Sequence, residues 1–372
     1  MKFVIITHTI HKIKEDSFFA YEPYVREMNL WLQHASETKI VAPISLDEIT
    51  AIDKKYTSKN IAVSKIPSFN FIGIKNKIVS IFKLPIILYS IFKAMYWADH
   101  IHLRCPGNVG LLGALVQVLF PSKPKTVKYA GNWDPKSKQP FSYRFQKRIV
   151  SNTFLTRNCK VLVYGEWENQ TKNIVPFFTA SYKKSEIETI RKKRLNGKMN
   201  FMFVGAFTKS KQPLLSVQVV EKLKNNGFDV QLDMFGDGAE FDSVKRYITA
   251  KKIEKLIILH GNQSKEIVKK AFQKAHFLVF ISKSEGWPKV VAEAMFWSCL
   301  PISFKVSCVP NMLDHGDRGA LVNPDVDEII KKIKFYIADE DFYQKSVLRA
   351  KNWSQEFTLD RFEKEIRNIL LS

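Results

Sequence analysis

Phe280-Ile281-Ser282-Lys283-Ser284-Glu285-Gly286-Trp287-Pro288-Lys289-Val290-Val291-Ala292-Glu293-Ala294-Met295 is the stretch from which the rest of this 372-residue chain is read. An apolar run ends at Ile281 and a polar loop with Gly286 follows. Pro288 stands where a helix begins, since its fixed φ suits the first turn and its missing N–H removes no hydrogen bond there. The spacing predicts a buried strand, a loop, and a helix whose N-terminus faces the carboxyl edge of a sheet. Such a terminus gathers backbone N–H groups and the positive end of a helix dipole, which suits a phosphate or diphosphate, and Lys289 adds charge.

Two carboxylates fall at different depths around that tip. Glu285 lies in the loop, and Glu293 lies about 7.5 Å along the axis from Pro288 at 1.5 Å per residue. A diphosphate at the tip leaves one acid near the group on one phosphate and the other near the ribose. Carboxylates grip vicinal hydroxyls through charge-assisted hydrogen bonds. The simpler alternative makes Glu285 a helix-capping acid and Glu293 a solvated surface residue. Against it, Glu293 is flanked by Val290, Val291, Ala292, Ala294 and Met295, and an unpaired glutamate buried in that company is costly.

Outward from this segment, short β-branched runs alternate with helical stretches, the pattern of parallel sheets wrapped by helices. Lys2–Ile6, Thr38–Ala42, His100–Leu103, Thr126–Tyr129 and Lys160–Tyr164 read as strands of one half. Asn200–Gly205, Asp229–Phe235, Lys255–Leu259, His276–Ile281 and Pro301–Phe304 read as strands of the other. The length fits two domains, here 1–178 and 199–353, with the cationic stretch 179–198 as a linker. From Ser354 to 372, Leu359, Phe362, Ile366 and Leu370 space a helix that covers a core. Cys105, Cys159, Cys299 and Cys308 form no C-x-x-C pair, which excludes a zinc finger or redox pair and fits buried thiols of a reducing cytosol. The apolar start is too short for a signal peptide, so a protein kept in the cytoplasm is expected.

The segment resembles the donor-binding signature of the retaining GT-B glycosyltransferases of group 1: a Glu-Gly opening and a second Glu eight positions on. The match continues through Phe203-Val204-Gly205 with Lys211, Met234-Phe235-Gly236-Asp237-Gly238, His260-Gly261-Asn262 and Asp314 to Val322. The resemblance implies an α/β fold with two Rossmann-like domains facing a central cleft, the last helix crossing back to the first. It implies a nucleotide-sugar donor, a saccharide or lipid-linked saccharide acceptor, and no cofactor or metal. Glu293 would bind the ribose, Glu285 would position the sugar ring, and Gly286 with the backbone of Trp287, Pro288 and Lys289 would hold the distal phosphate. Lys211, helped by Lys209 beside Gly205, would neutralise the diphosphate, although Lys209–Lys211 also reads as a solvated turn. The backbone around Gly261 and Asn262 would meet the base.

There are departures from the family pattern. Ala206 stands where an Arg is frequent, Phe296-Trp297-Ser298-Cys299 replaces a small-residue turn, and Ala130 stands where a His near the sugar is common. Asn132 or Trp133 is a substitute on the acceptor side. His8 and His11 are further candidates there, or simply polar loop residues.

A formal net charge of +22 favours polyanionic partners. The excess gathers with aromatics in Lys123–Arg148 and in Ile74–Ala98, which predicts docking of the first domain on an anionic membrane surface at its inner face. The alternative for Ile74–Ala98 is a core helix whose lysines snorkel. No helix-turn-helix, zinc-finger or RNA-recognition signature supports nucleic acid. A nucleotide-sugar epimerase of related fold, and a basic nucleic-acid- or membrane-binding module without catalysis, are the other functions compatible with these residues.

Overall fold

The computed structural model describes residues 1–50, 52–67 and 74–371, with side chains in 74–79 excepted; Lys75 and Lys77 of the basic stretch are thus outside the described side chains. The chain divides into two compact units, residues 1–177 with 363–372, and residues 178–362.

The first unit is built on a sheet whose parallel core runs β10-β9-β8-β7-β1-β4-β6: β1 (Lys2–Ile6), β4 (Glu37–Ser45), β6 (Ile61–Ile66), β7 (His100–Cys105), β8 (Lys125–Tyr129), β9 (Cys159–Tyr164) and β10 (Ile174–Phe177). The central strands are almost wholly buried; β1 reads as an apolar run, whereas β7 and β8 alternate polar with apolar residues and bury both sets. Beyond β4 lies an antiparallel addition of β2 (His11–Lys14), β3 (Ser17–Tyr21) and β5 (Asp53–Lys55). Helices α1 (Glu22–Leu32), α2 (Ile74–Trp97), α3 (Asn108–Val116) and α4 (Phe141–Ser151) connect the strands.

Part of the basic patch expected on this unit points inward. Lys125 and Lys128 are buried; Lys125 Nζ donates to the carbonyls of Phe120 and Lys123, and Lys128 lies over the rings of Tyr164 and Phe177. Lys123 donates to the carbonyls of Met95, Tyr96 and Ala98, closing the C-terminus of α2. These cations serve the fold, because a backbone carbonyl cluster at a helix end accepts an ammonium well.

The second unit has a six-stranded, all-parallel sheet in the order β13-β12-β11-β14-β15-β16. Its strands are β11 (Met199–Val204), β12 (Val230–Phe235), β13 (Ile257–Gly261), β14 (Phe277–Phe280), β15 (Leu300–Phe304) and β16 (Ala320–Val322). Its helices are α5 (Pro213–Asn225), α6 (Phe241–Lys251), α7 (Lys265–Lys274), α8 (Lys289–Phe296), α9 (Val309–Met312), α10 (Val326–Ala338) and α11 (Glu340–Gln355); α12 (Leu359–Leu371) carries the chain into the residues grouped with the first unit. Gly236 is required where β12 ends: its φ is +125°, and a Cβ there would stand 2.0 Å from the Gly205 carbonyl oxygen.

The stretch 179–198, expected as a linker, is instead packed into the second unit. Tyr182 is buried against Phe296 and Trp297, and the Lys193 ammonium sits among the carbonyls of Phe272, Ala275, Trp297 and Ser298 at 2.5–3.2 Å. Charge misled the reading. A cation at the C-terminal ends of α7 and α8 is a clamp, whereas in sequence it looks like solvated linker.

Candidate functional site

Strand order places the site in the second unit. From β11 the chain steps through β12 and β13 to one side, and β14, β15 and β16 lie on the other, so the topological switch is between β11 and β14. Ligands of open parallel sheets bind in the crevice at the carboxyl ends of the strands flanking such a switch. The loops that leave those two strands hold Gly205–Gln212 and Ile281–Pro288, which contain most of the residues expected to bind the donor.

The two loops are joined. Lys283 N donates to Ser210 O at 2.9 Å, Gln212 Nε2 donates to Ile281 O at 2.9 Å, and Lys211 Nζ forms an ion pair with Glu285 while lying 4.8 Å above the Phe280 ring. The Glu285 side chain is 9% exposed and that of Lys211 is 23% exposed, so the ammonium is the charge partner of a largely buried carboxylate. Lys209 is exposed on the same loop.

Pro288 occupies the N-cap of α8 and supplies no side-chain cap, while Val291 N donates to Pro288 O at 3.0 Å within the first turn. The Gly286 carbonyl is turned toward Ser307 and Cys308, accepting from Ser307 Oγ at 2.9 Å and Cys308 Sγ at 3.2 Å. Trp287 packs its ring against Trp353 and Phe357, so it offers backbone rather than side chain. Gly261, at φ +64°, ends β13, and its carbonyl accepts from Gly236 N; Asn262 beyond it is exposed.

Glu293 lies on α8 and accepts from the Ser181 hydroxyl at 2.5 Å. Around that contact Thr179, Ser181, Trp287, Lys289 and Ser354 enclose a cavity of about 10 Å³, room for roughly one water. The structure thus brings Glu285 to Lys211 and Glu293 to Ser181 as two separate polar contacts. Ser181 was missed in sequence. Nothing in an aperiodic basic stretch marks one serine.

In the first unit the switch lies between β1 and β7, and His8 follows β1. Gly107 follows β7; a Cβ there would lie 2.9 Å from His8 Nδ1, so the glycine makes room for the ring. His8, Ile10, Pro106, Gly107, Asn108 and Tyr143 help to line a cavity of about 340 Å³. Partial burial, and secondarily Arg104, hold the His8 pKa below the ordinary imidazole value.

Two acceptor-side expectations are corrected. His11 is not a loop residue: it opens β2, is fully buried, stacks on Tyr56 and hydrogen-bonds the Tyr56 hydroxyl at 2.8 Å. Trp133 is 3% exposed, and its indole N–H donates to Gln170 at 2.9 Å; its ring fills the core instead of replacing the family's His. Asn132 Oδ1 accepts from Asp134 N at 2.9 Å, closing its own turn.

The sequence profile of the family described as "Glycosyl transferases group 1" matches residues 185–353, the region that holds both loops and α8. The second unit belongs to the group 1 glycosyltransferases. Over 177 residues the chain is 25% identical to an uncharacterized glycosyltransferase of Methanocaldococcus jannaschii, covering 46% of this chain and 48% of that protein. Over 136 residues it is 28% identical to the lipopolysaccharide 1,6-galactosyltransferase of Salmonella typhimurium, covering 36% of each. The chain therefore spans about half or less of these curated relatives in the matched regions. Among solved structures it is similar to Anabaena HepE in complex with UDP and glucose, with TM-score 0.66, 12% identity and 100% of both chains covered. The fold of the chain is thus of the GT-B class, two Rossmann-like α/β units.

Proposed function

We propose that the protein transfers a sugar from a nucleotide-sugar donor to a saccharide acceptor with retention of anomeric configuration. The observation that carries this reading is the Lys211–Glu285 pair at the β11/β14 switch of a group 1 domain, beside a helix N-terminus without a side-chain cap. A diphosphate would take the α8 amides, and Lys211 would neutralise it. Glu285, released from full pairing, would accept hydroxyls of the sugar, and Glu293 those of the ribose. Transfer would proceed by same-face attack through an oxocarbenium-like ion pair, the departing diphosphate taking the acceptor's proton. Catalysis is then positioning plus stabilisation of a leaving anion.

The acceptor would meet the His8 cavity of the first unit. A lipid-linked saccharide of a cell-surface polysaccharide pathway is supported by the name of the Salmonella relative, and a uridine nucleotide by the UDP bound to HepE. Thermal unfolding with UDP-, GDP- and ADP-sugars tests the donor, since a ligand at 100 times its Kd stabilises by about 2.7 kcal/mol. One nucleotide class should raise the midpoint; no shift with any of them overturns the reading. Incubation with donor alone separates an epimerase, which would change the sugar without an acceptor.

A further inference from the structure

Helix α2 is apolar on two opposite faces, and among the described residues only one of them is covered. Ile87, Ile91, Ala94, Met95 and Ala98, at and just beyond its C-terminal part, are at most 1% exposed and belong to the core of the first unit. The opposite face carries Phe82 at 77% exposure, Ile86 at 61%, Tyr89 at 66% and Tyr96 at 72%. Their steps of four, three and seven keep them on one stripe, about 21 Å long at 1.5 Å per residue. A helix that is apolar all round is ordinarily buried all round, and an exposed patch of this kind marks an interaction surface. The neighbouring helical layer continues the patch: Phe92 touches Phe120 at 5.3 Å, and Leu119 beside it is 66% exposed.

We infer that this face of α2 is a docking surface for an anionic lipid bilayer, on which the helix lies with its aromatic stripe in the headgroup–acyl boundary. Charge selects that occupant. Residues 74–98 contain Lys75, Lys77, Lys83 and Lys93 and no acid, so a second copy meeting the same face about a two-fold axis would set lysines against lysines. An anionic headgroup layer complements them, and amphipathic Tyr89 and Tyr96 suit a surface apolar on one side and wet on the other. Among the described residues no helix is long and apolar enough to cross a membrane; α2 would lie on the bilayer, not span it. This docking stands independently of the transfer reading.

The test is flotation of the full chain with vesicles of phosphatidylcholine, alone or mixed with phosphatidylglycerol. The parent should float with the mixed vesicles and not with phosphatidylcholine alone. Phe82→Ser with Tyr89→Ser should weaken that partition at least roughly tenfold, with an unchanged melting midpoint because both side chains are exposed. Lys93→Glu, a single exposed change that keeps the stripe, should weaken it several-fold. Failure of the parent to prefer anionic vesicles, or partition untouched by both variants, overturns the inference. So does a parent dimer in gel filtration that the serine variant converts to monomer.

Discussion

The ammonium of Lys211 and the carboxylate of Glu285, 74 residues apart in sequence, meet directly across the two loops that leave β11 and β14. Each is the other's charge partner in a mostly desolvated setting, so the pair holds the two loops together. Under the proposed transfer, a diphosphate entering the switch would offer Lys211 a stronger anion and would free Glu285 to bind hydroxyls, so the site would be assembled in advance of the donor.

Removal of either partner separates these two jobs. Lys211→Met should destabilise the second unit by about 3 kcal/mol because it strands a buried carboxylate, and it should weaken donor binding. Glu285→Gln should lower turnover more than donor affinity. The double variant should regain most of the stability and none of the activity, a non-additivity that a double-mutant cycle of thermal midpoints and rates will read.

Glu293 makes a different contact and predicts a different result. If it accepts ribose hydroxyls, Glu293→Ala should weaken nucleotide binding at least roughly tenfold, the loss of a charge-assisted hydrogen bond. Ser181→Ala removes only the present partner and should change affinity by about threefold or less. Calorimetric titration of both variants with the nucleotide checks this; equal losses would make Ser181 a direct ligand instead.

Lys193 tests the role of the stretch once read as a linker. Four carbonyls surround its ammonium, and burial pulls its pKa down to about 8. Lys193→Met leaves those carbonyls without their donor and should cost about 1–3 kcal/mol, a fall of roughly 3–10 °C in the midpoint of the second unit. An unchanged midpoint would mean that the other contacts of the segment, among them Tyr182 and the ion pairs of Glu186 and Glu188, hold it without the Lys193 clamp.

What was legible in the sequence followed from how each element is buried. Strands such as Phe277–Phe280 are covered on both faces and write themselves as apolar runs; so does the break at Pro288. The hairpin β2–β3 was not legible. Its strands are half exposed, and its two-residue turn places Glu15 and Asp16 at φ +48° and +59°, a conformation usually announced by Asn-Gly. For the same reason His11, a buried strand residue, read as a loop histidine. The donor-side acids were visible because their spacing encodes depth along a helix, whereas Ser181 and Lys193 act through single contacts that leave no periodicity.

Four buried histidines, His11, His100, His102 and His276, make the fold acid-sensitive. Burial lowers the pKa of His11, His100 and His276 to about 4, against an ordinary value near 6.5. Their folded-state pKa lies below the unfolded one, so the unfolded chain takes up protons first as the pH falls. The stability they allow is complete above about pH 6.5 and is lost progressively down to about pH 4, by roughly 1 kcal/mol per pH unit for each ring. Chemical denaturation at intervals between pH 7 and 4 should show that slope. His100→Gln should flatten it in the first unit; an identical slope in that variant would assign the acid sensitivity to other groups.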